Sequence, residues 1–127
     1  MKSILDANAL MVPYQFGVDI FAELERLGYY DWLVPRAVLQ ELRNIASSAR
    51  KGRDRTAARV ALALAARCRA VGDEEEDADQ SIEDLACLEG AAVFTNDRAL
   101  KKRLFNKGIS VIYLRQGRYL EASKKEC

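Results

Sequence analysis

Two short apolar runs in the chain each end on a carboxylate. The first run ends at Asp6, and the second, within residues 92–97, ends at Asp97. The 127 residues include no histidine, which excludes Ser-His-Asp and Cys-His triads, H-E-x-x-H zinc sites and imidazole acid–base pairs. Any catalysis must therefore use carboxylates, lysine, a hydroxyl group or a metal ion, and the two aspartates are the first candidates for the working groups.

Further acids could join Asp6 and Asp97 at one edge of the fold. Glu41 follows the second predicted strand, and Asp79 and Asp84 stand around the fourth predicted helix. Three or four carboxylates suit Mg²⁺ or Mn²⁺, because both ions prefer oxygen ligands. Such an ion would activate a water molecule and neutralise charge on a scissile phosphate. The pattern therefore indicates a histidine-free phosphodiesterase.

Each of these residues also has a purely structural interpretation. An aspartate that directly follows a strand often caps a helix, so Asp97 alone does not establish a site. Glu41 is equally compatible with a solvated helix position that pairs with a neighbouring arginine. Asn8 and Asn96 either cap turns or support the metal ligands, and Thr95 is a further supporting candidate. An aspartyl phosphatase is disfavoured, because Asn8 stands where such an enzyme has its second acid.

The spacing of apolar residues predicts that strands and helices alternate along the chain. Predicted strands cover residues 2–5, 31–34, 92–95 and 110–114 with an edge strand near Val71, and predicted helices cover 18–27, a segment from Pro35 to Ile45, 55–69, 81–89 and 97–107. A loop containing Pro13 is predicted after the first strand. Because parallel strands need crossover helices, this alternation indicates a three-layer α/β domain with a parallel sheet. Ligands of such sheets bind outside the carboxyl ends of the strands, where Asp6 and Asp97 stand.

The bulk composition is that of an ordinary globular protein. A chain of this length fits one domain, predicted here to span residues 1–127. Half of the residues are hydrophobic and 31% are charged. No apolar run approaches the roughly 20 residues of a membrane span, so a cytoplasmic location without a signal peptide is expected. The three cysteines lack C-x-x-C spacing, which disfavours a disulfide framework and a zinc ribbon.

Basic residues cluster in two blocks although the net charge is only +1. Arg53 and Arg55 belong to the first block, Lys101 and Lys102 belong to the second, and Arg98 precedes the second. These side chains could follow the phosphate backbone of a nucleic acid towards the acids, which would make binding sensitive to salt. Arg98 is the first choice for a phosphate contact. The alternative interpretation is that the basic residues only keep the protein soluble.

Four segments of the chain resemble, in order and spacing, the four acidic motifs of PIN-domain ribonucleases. They are residues 4–8 (ILDAN), 34–42 (VPRAVLQEL), 78–82 (ADQSI) and 94–100 (FTNDRAL). The resemblance extends through residues 102–104 and 108–115 and so covers nearly the whole chain. It implies a five-stranded parallel sheet of order 3-2-1-4-5 and metal-dependent hydrolysis of RNA that leaves a 5′-phosphate and a 3′-hydroxyl. Asp6, Glu41 and Asp97 match the acids of these motifs directly.

Within that family the chain looks closest to the archaeal and eukaryotic branch related to the pre-ribosomal RNA processing endonuclease, whose small archaeal members are often described as VapC-like. The resemblance implies RNA as a partner, in RNA processing or as the target of a toxin. It also implies a ribosomal precursor or an antitoxin protein as a further partner, and homodimer formation is common in the family.

One position departs from the pattern of this branch. Relatives commonly have two consecutive acids at the start of the fourth helix, where this chain has Asp79 and Gln80. Asp79 would then supply the missing ligand, and Asp84, four residues after Gln80 on the same helix face, is the second choice. The alternative is a catalytically weakened PIN module that binds RNA or protein without turnover.

Overall fold

Six strands and six helices lie within residues 1–123, the part of the chain that the computed structural model describes. Residues 124–127, which the predicted domain includes, lie outside that part. The strands are β1 (Lys2–Leu5), β2 (Asp31–Pro35), β3 (Arg69–Val71), β4 (Ala92–Phe94), β5 (Val111–Arg115) and β6 (Tyr119–Ser123). The helices are α1 (Ala7–Phe16), α2 (Ile20–Arg26), α3 (Arg36–Ser48), α4 (Gly52–Ala65), α5 (Ala78–Glu89) and α6 (Arg98–Asn106). Over residues 1–123, none of the helices combines the length and the apolar character needed to cross a membrane.

The strands form one sheet of order β3-β2-β1-β4-β5-β6. The first five strands pair in parallel and confirm both the α/β class and the predicted order 3-2-1-4-5. The prediction of five strands is wrong by one, because β6 adds to β5 in antiparallel orientation. Gln116 and Gly117 turn the chain back through backbone angles φ of 55° and 65°. Only Leu120 of β6 is fully buried, so this strand has too weak an apolar pattern to be recognised in the sequence.

The central strands are covered on both faces, which explains their nearly continuous apolar sequence. In β1, the side chains of Ser3, Ile4 and Leu5 are all inaccessible to solvent, and β4 is buried along its whole length. Residues at the ends of β1 and β4 are therefore anchored to fully buried strands. Asp6 and Asp97 follow these two strands.

The predicted loop around Pro13 is wrong, because residues 7–16 form helix α1. Asp6 caps this helix at its amino end, and Gly17 ends it in the left-handed conformation with φ of 68°. Proline within a helix removes one backbone donor, but the buried residues Leu10 and Met11 pack into the core and outweigh that loss. The helix places Asn8 in its first turn, beside Asp6.

The other helices also differ from their predicted bounds: α2 covers Ile20–Arg26 and not 18–27, and α3 ends at Ser48 and not at Ile45. Helix α4 starts and ends earlier than the predicted 55–69, and its fully buried face consists of alanines, including Ala58 and Ala61, which allow close packing against α1 and α3. Helix α5 starts three residues before the predicted 81–89, because the Asp77 carboxylate accepts a hydrogen bond of 2.9 Å from the backbone N–H of Gln80. This earlier start places Asp79 in the first turn of α5.

Candidate active site

Asp6 is a buried carboxylate at the carboxyl end of β1, with only 4% of the residue exposed. Its Oδ1 accepts a hydrogen bond of 2.8 Å from the N–H of Ala7, and its Oδ2 accepts from Thr95 Oγ1 at 2.8 Å and from Asn8 Nδ2 at 3.1 Å. Burial raises the pKa of Asp6, and the negative charges of Asp79 and Asp97 raise it further, while the hydrogen bonds from Thr95 and Ala7 oppose the shift. A nearby cation would therefore stabilise the ionised form of Asp6.

The ends of three strands are tied together by polar side chains. Asn8 Oδ1 accepts a hydrogen bond of 2.9 Å from the backbone N–H of Asn96, which joins α1 to the end of β4. Asn96 Oδ1 in turn accepts from the N–H of Leu114 in β5 at 2.9 Å. Thr95 Oγ1 accepts from the N–H of Asp97 at 3.1 Å. Asn8, Thr95 and Asn96 therefore both close turns and orient the carboxylates.

Asp97 caps α6 through a hydrogen bond of 3.0 Å from the N–H of Leu100 to its Oδ1. It is exposed to solvent, unlike the buried Asp6. Asp97 therefore both caps α6 and lies beside Asp6, because the end of β4 positions it for the two roles.

Glu41 and Asp79 approach this edge from α3 and α5. Partial burial raises the pKa of Glu41, followed by the negative charges of Asp6 and Asp79. Partial burial also raises the pKa of Asp79, followed by the charge of Asp97, whereas Arg103 lowers it. The negative charges of Asp6, Asp79 and Asp97 all raise the pKa of Glu41, so the structure gathers these four acids at one edge of the sheet.

The four acids do not form a closed ligand set. Within residues 1–123, no three histidine, cysteine, aspartate or glutamate side chains lie close enough together to hold one metal ion as they stand. Like charges repel one another, so separation is the expected arrangement for a group of carboxylates. Their oxygens are nevertheless the hard donors that Mg²⁺ and Mn²⁺ prefer.

Asp84 stands apart from this group. Its Oδ1 accepts a hydrogen bond of 2.8 Å from Gln80 Nε2. Asp84 also borders a separate small groove of 170 Å³ whose lining includes Pro35, Leu85 and Leu88. The structure brings Asp79 to the other acids and leaves Asp84 beside Gln80.

The family of the chain follows from comparison with known proteins. A family model described as a PIN like domain matches residues 3–117. The chain belongs to the PIN-like domain family. The predicted family is thereby confirmed.

Two curated relatives and one solved structure are similar to this PIN-like chain. It is 32% identical over 114 residues to Ribonuclease VapC9 of Archaeoglobus fulgidus, covering 90% of this chain and 83% of the relative. It is 28% identical over 124 residues to Ribonuclease VapC4 of Methanocaldococcus jannaschii, covering 94% and 95%. The PIN domain endonuclease Utp24 has the same fold, with a TM-score of 0.75 at 22% identity, covering 97% of this chain and 91% of the other.

Two residues of this PIN-like site were missed in the sequence analysis. Arg103 of α6 donates from Nη2 to Gln80 Oε1 at 2.6 Å and from Nε to Glu83 Oε2 at 2.7 Å. Glu83 is buried and also pairs with Lys107, and these two cations, Lys107 first, lower the pKa of Glu83. The sequence feature that could have identified Glu83 is its position in α5, where it falls between the buried residues Ile82 and Ala86.

The basic residues of α6 lie nearer to the PIN-like site along the chain than those of α4. Arg98 occupies the first position of α6, directly after Asp97. The Lys101 ammonium lies 5.1 Å from the centre of the Tyr113 ring, and Lys101 and Lys102 line a groove of 340 Å³ together with Phe105. This helix is therefore the better candidate for a nucleic-acid contact.

The two residues of the first basic block that were predicted to contact RNA lie away from the carboxylate edge along the chain and have other neighbours. Arg55 donates from Nη1 to the carbonyl oxygen of Ala49 at 2.7 Å and so holds the connection between α3 and α4. Arg53 lines a cavity of 440 Å³ together with Tyr14 and Asp54. Of these two predicted RNA contacts, Arg55 therefore has a structural role, because its guanidinium stabilises the connection between α3 and α4.

A cavity of 530 Å³ lies at the opposite edge of the sheet, where β1 and β4 begin. Among residues 1–123, the charged side chains in its lining are Lys2 and Glu89, whose Nζ and Oε1 atoms are 3.7 Å apart. The chemistry of this PIN-like domain is therefore better placed at the carboxylate edge than in this larger cavity.

Proposed function

We propose that this chain is a Mg²⁺- or Mn²⁺-dependent endoribonuclease that hydrolyses RNA phosphodiester bonds. The observation that carries the proposal is the group of four acids at the carboxyl ends of β1 and β4, in which Asp6, Glu41 and Asp79 all have a raised pKa. The ribonuclease names of both curated relatives support RNA as the substrate.

In the proposed site, Asp6, Asp79 and Asp97 would hold the ion, and Glu41 would join them from α3. A bound ion supplies a water molecule activated at neutral pH and offsets the charge on the phosphate. Asp6 is the fixed member, since Ala7, Asn8 and Thr95 hold it in place.

The RNA strand would meet the site from the side of α6. Arg98 stands beside Asp97 at the start of that helix, and Lys101 and Lys102 follow within the next turn. These cations would hold the phosphates that flank the scissile bond, and the proposal gives RNA binding a strong dependence on salt. Arg53 contributes at a greater distance along the chain.

Cleavage of a labelled RNA with Mn²⁺ or Mg²⁺ tests the proposal. Asp97→Asn should lower the rate by more than about 100-fold, because even the partners of metal ligands are worth about 10- to 100-fold. Asparagine caps helices as well as aspartate, so α6 should remain intact. Asp19→Asn is the matched control, since Asp19 caps α2 through a bond of 3.1 Å from the N–H of Ala22. Equal cleavage by all three proteins would identify a contaminating nuclease.

A second function, binding of RNA or protein without turnover, is favoured by the surroundings of Gln80. Its amide oxygen is occupied by Arg103 and its amide nitrogen by Asp84, so this position adds no negative charge to the ligand set. Salt-sensitive RNA binding with no cleavage across a titration of Mn²⁺ would favour this alternative. Mn²⁺-dependent cleavage lost in Asp97→Asn would exclude it.

The cellular role is a further proposal, either RNA processing in the cytoplasm or action as a toxin with an antitoxin partner. The toxin role predicts an antitoxin gene directly upstream and growth arrest when the chain is expressed alone. The processing role predicts that a ribosomal precursor accumulates when the gene is removed. Homodimer formation stays a prediction, which sedimentation analysis of the purified chain would test.

A further inference from the structure

The basic residues of α6 fall into two groups with different surroundings. Arg103 and Lys107 both pair with the buried Glu83 of α5. Lys101 and Lys102 instead line the groove of 340 Å³ beside β5. Over residues 1–123, neither of these two lysines forms an ion pair with a carboxylate. Their positive charge is therefore available to an anionic ligand.

The rest of the groove lining is mainly apolar and aromatic. Alternate residues of a strand face the same side of a sheet, so Val111 and Tyr113 of β5 both contribute to the lining. Ser123 of β6, which is the register partner of Val111, continues the same surface. Phe105 completes the lining from α6, and 40% of this residue is exposed. An aromatic ring is thus accessible beside two cations.

The Tyr113 ring is held in place from two directions. Its hydroxyl donates a hydrogen bond of 2.8 Å to Glu121 Oε2, and Arg115 Nη1 donates to the same oxygen at 2.6 Å. The Lys101 ammonium lies 5.1 Å from the ring centre, within the range of a cation–π contact. Because Arg115 offsets the charge of Glu121, this acid leaves the positive charge of the two lysines in the groove.

A positively charged groove with an accessible aromatic ring suits a ligand that carries both a phosphate and a flat ring, as a nucleotide does. We propose that the groove is a base-binding subsite, in which an RNA base stacks on the Phe105 ring while Lys101 and Lys102 hold the adjoining phosphate. The base must be unpaired, because the bases of an RNA duplex do not present their faces to side chains. The inference rests on the proposed function, because it gives the RNA a second contact beyond the carboxylate edge.

The groove and the carboxylate edge are connected by one face of α6. Arg98, Lys101, Lys102 and Phe105 follow one another at spacings of three or four residues, so they share a side of the helix. At about 1.5 Å per residue, Phe105 lies about 10 Å beyond Arg98 along the helix axis. An RNA strand with its scissile phosphate at Asp97 would therefore pass Arg98 and place a nearby nucleotide in the groove.

Binding of a labelled single-stranded RNA in EDTA, followed by fluorescence anisotropy, tests the inference without turnover. Phe105→Leu keeps an apolar side chain and a good helix former at an exposed position, so α6 should remain intact. This variant should bind about 5- to 100-fold more weakly, the range expected when a stacked base loses its aromatic partner. Phe105→Trp should bind within about twofold of the wild type or more tightly, because it keeps a ring for stacking.

A matched control removes an exposed aromatic ring elsewhere. Tyr30 is 67% exposed and directly precedes β2, at the edge of the sheet opposite the carboxylates. Tyr30→Leu should bind single-stranded RNA within about twofold of the wild type. A duplex RNA of the same length should bind Phe105→Leu and the wild type within about twofold of each other, because its bases are paired.

The salt dependence of binding separates the ring from the lysines. Stacking on a ring releases no counterion, so Phe105→Leu should keep the wild-type slope of log binding constant against log salt concentration. Lys101→Gln should make that slope shallower by about 0.7, the value for one phosphate of a single strand. Lys2→Gln, at the opposite edge beside Glu89, should leave the slope unchanged.

The possible outcomes separate the two proposals. Absence of RNA binding by the wild type would overturn the proposed function and this inference together. Single-stranded binding that Phe105→Leu leaves unchanged would overturn only the inference, and so would equal weakening for single-stranded and duplex RNA. Binding that depends on Phe105, together with no cleavage in Mn²⁺, would overturn the proposed catalysis and support the groove as a base-binding subsite.

Discussion

Replacement of Asp6 by asparagine separates the structural role of this carboxylate from its role as a ligand. Asparagine keeps an oxygen that can accept the hydrogen bond of 2.8 Å from the N–H of Ala7, so the cap of α1 survives. Its NH₂ group replaces Oδ2, and the amide of Asn8 then loses the acceptor that it reaches at 3.1 Å. The hydroxyl of Thr95 can turn to accept from the new amide.

These changes nearly cancel in the metal-free protein. One lost hydrogen bond costs about 1 kcal/mol, and the removal of a buried negative charge near Asp79 and Asp97 offsets that loss. We therefore expect the free energy of unfolding of Asp6→Asn, without metal at pH 7, to lie within about 1 kcal/mol of the wild type. The difference should emerge only when a divalent ion is added.

Urea unfolding with and without MnCl₂ measures that difference. At an ion concentration 100 times the dissociation constant, a bound ion stabilises the wild type by about 2.7 kcal/mol. Asp6→Asn should gain almost nothing from the same addition. The matched control is Asp19→Asn, a helix cap on α2 away from the carboxylate edge, which should gain as much as the wild type.

Equal stabilisation of Asp6→Asn and the wild type by Mn²⁺ would refute the assignment of Asp6 as a ligand. A loss of several kcal/mol in the metal-free variant would instead mean that the carboxylate is needed for folding. Only the combination of a near-native metal-free stability and a missing response to Mn²⁺ agrees with the geometry.

Two further predictions concern pH and the polar links between strands. Because the pKa of Asp6 is higher in the folded protein than its ordinary value of 3.8, the ionised carboxylate costs stability, and that cost disappears as the pH falls through the folded pKa. The free energy of unfolding of Asp6→Asn minus that of the wild type, measured by metal-free urea unfolding, should therefore fall from pH 7 to pH 4; a rise of this difference on acidification would contradict the assignment. Asn96→Ala should lower the free energy of unfolding by about 1–3 kcal/mol, because the N–H of Leu114 loses its 2.9 Å acceptor. Asn44→Ala, on the exposed face of α3, should change it by less than about 0.5 kcal/mol, and equal losses in both variants would show that the link between β4 and β5 adds nothing.

The parts of the fold that could be predicted from the sequence are those with a strong periodic pattern. The central strands contain short apolar runs, and α6 was predicted to within one residue at each end because Asp97 and Gly108 mark its limits. Helix α1 was missed because Pro13 suggested a loop, yet packing of Leu10 and Met11 into the core stabilises the helix around it. Strand β6 was missed because its stability comes from pairing with β5, a contact that leaves little trace in its own residues.

The sequence by itself determined which residues could do chemistry here. A chain without histidine that places Asp6 directly after one parallel strand and Asp97 shortly after another presents both carboxylates at one edge, because parallel strands end on the same side of a sheet. Only the tertiary structure decided the charge of that edge. Arg103 and Glu83 are 20 residues apart in the chain, and no local pattern couples them. The packing of α5 against α3, β1 and β4 brings Asp79 to the other acids, and the hydrogen bonds from α6 to α5 set the Arg103 guanidinium beside the site.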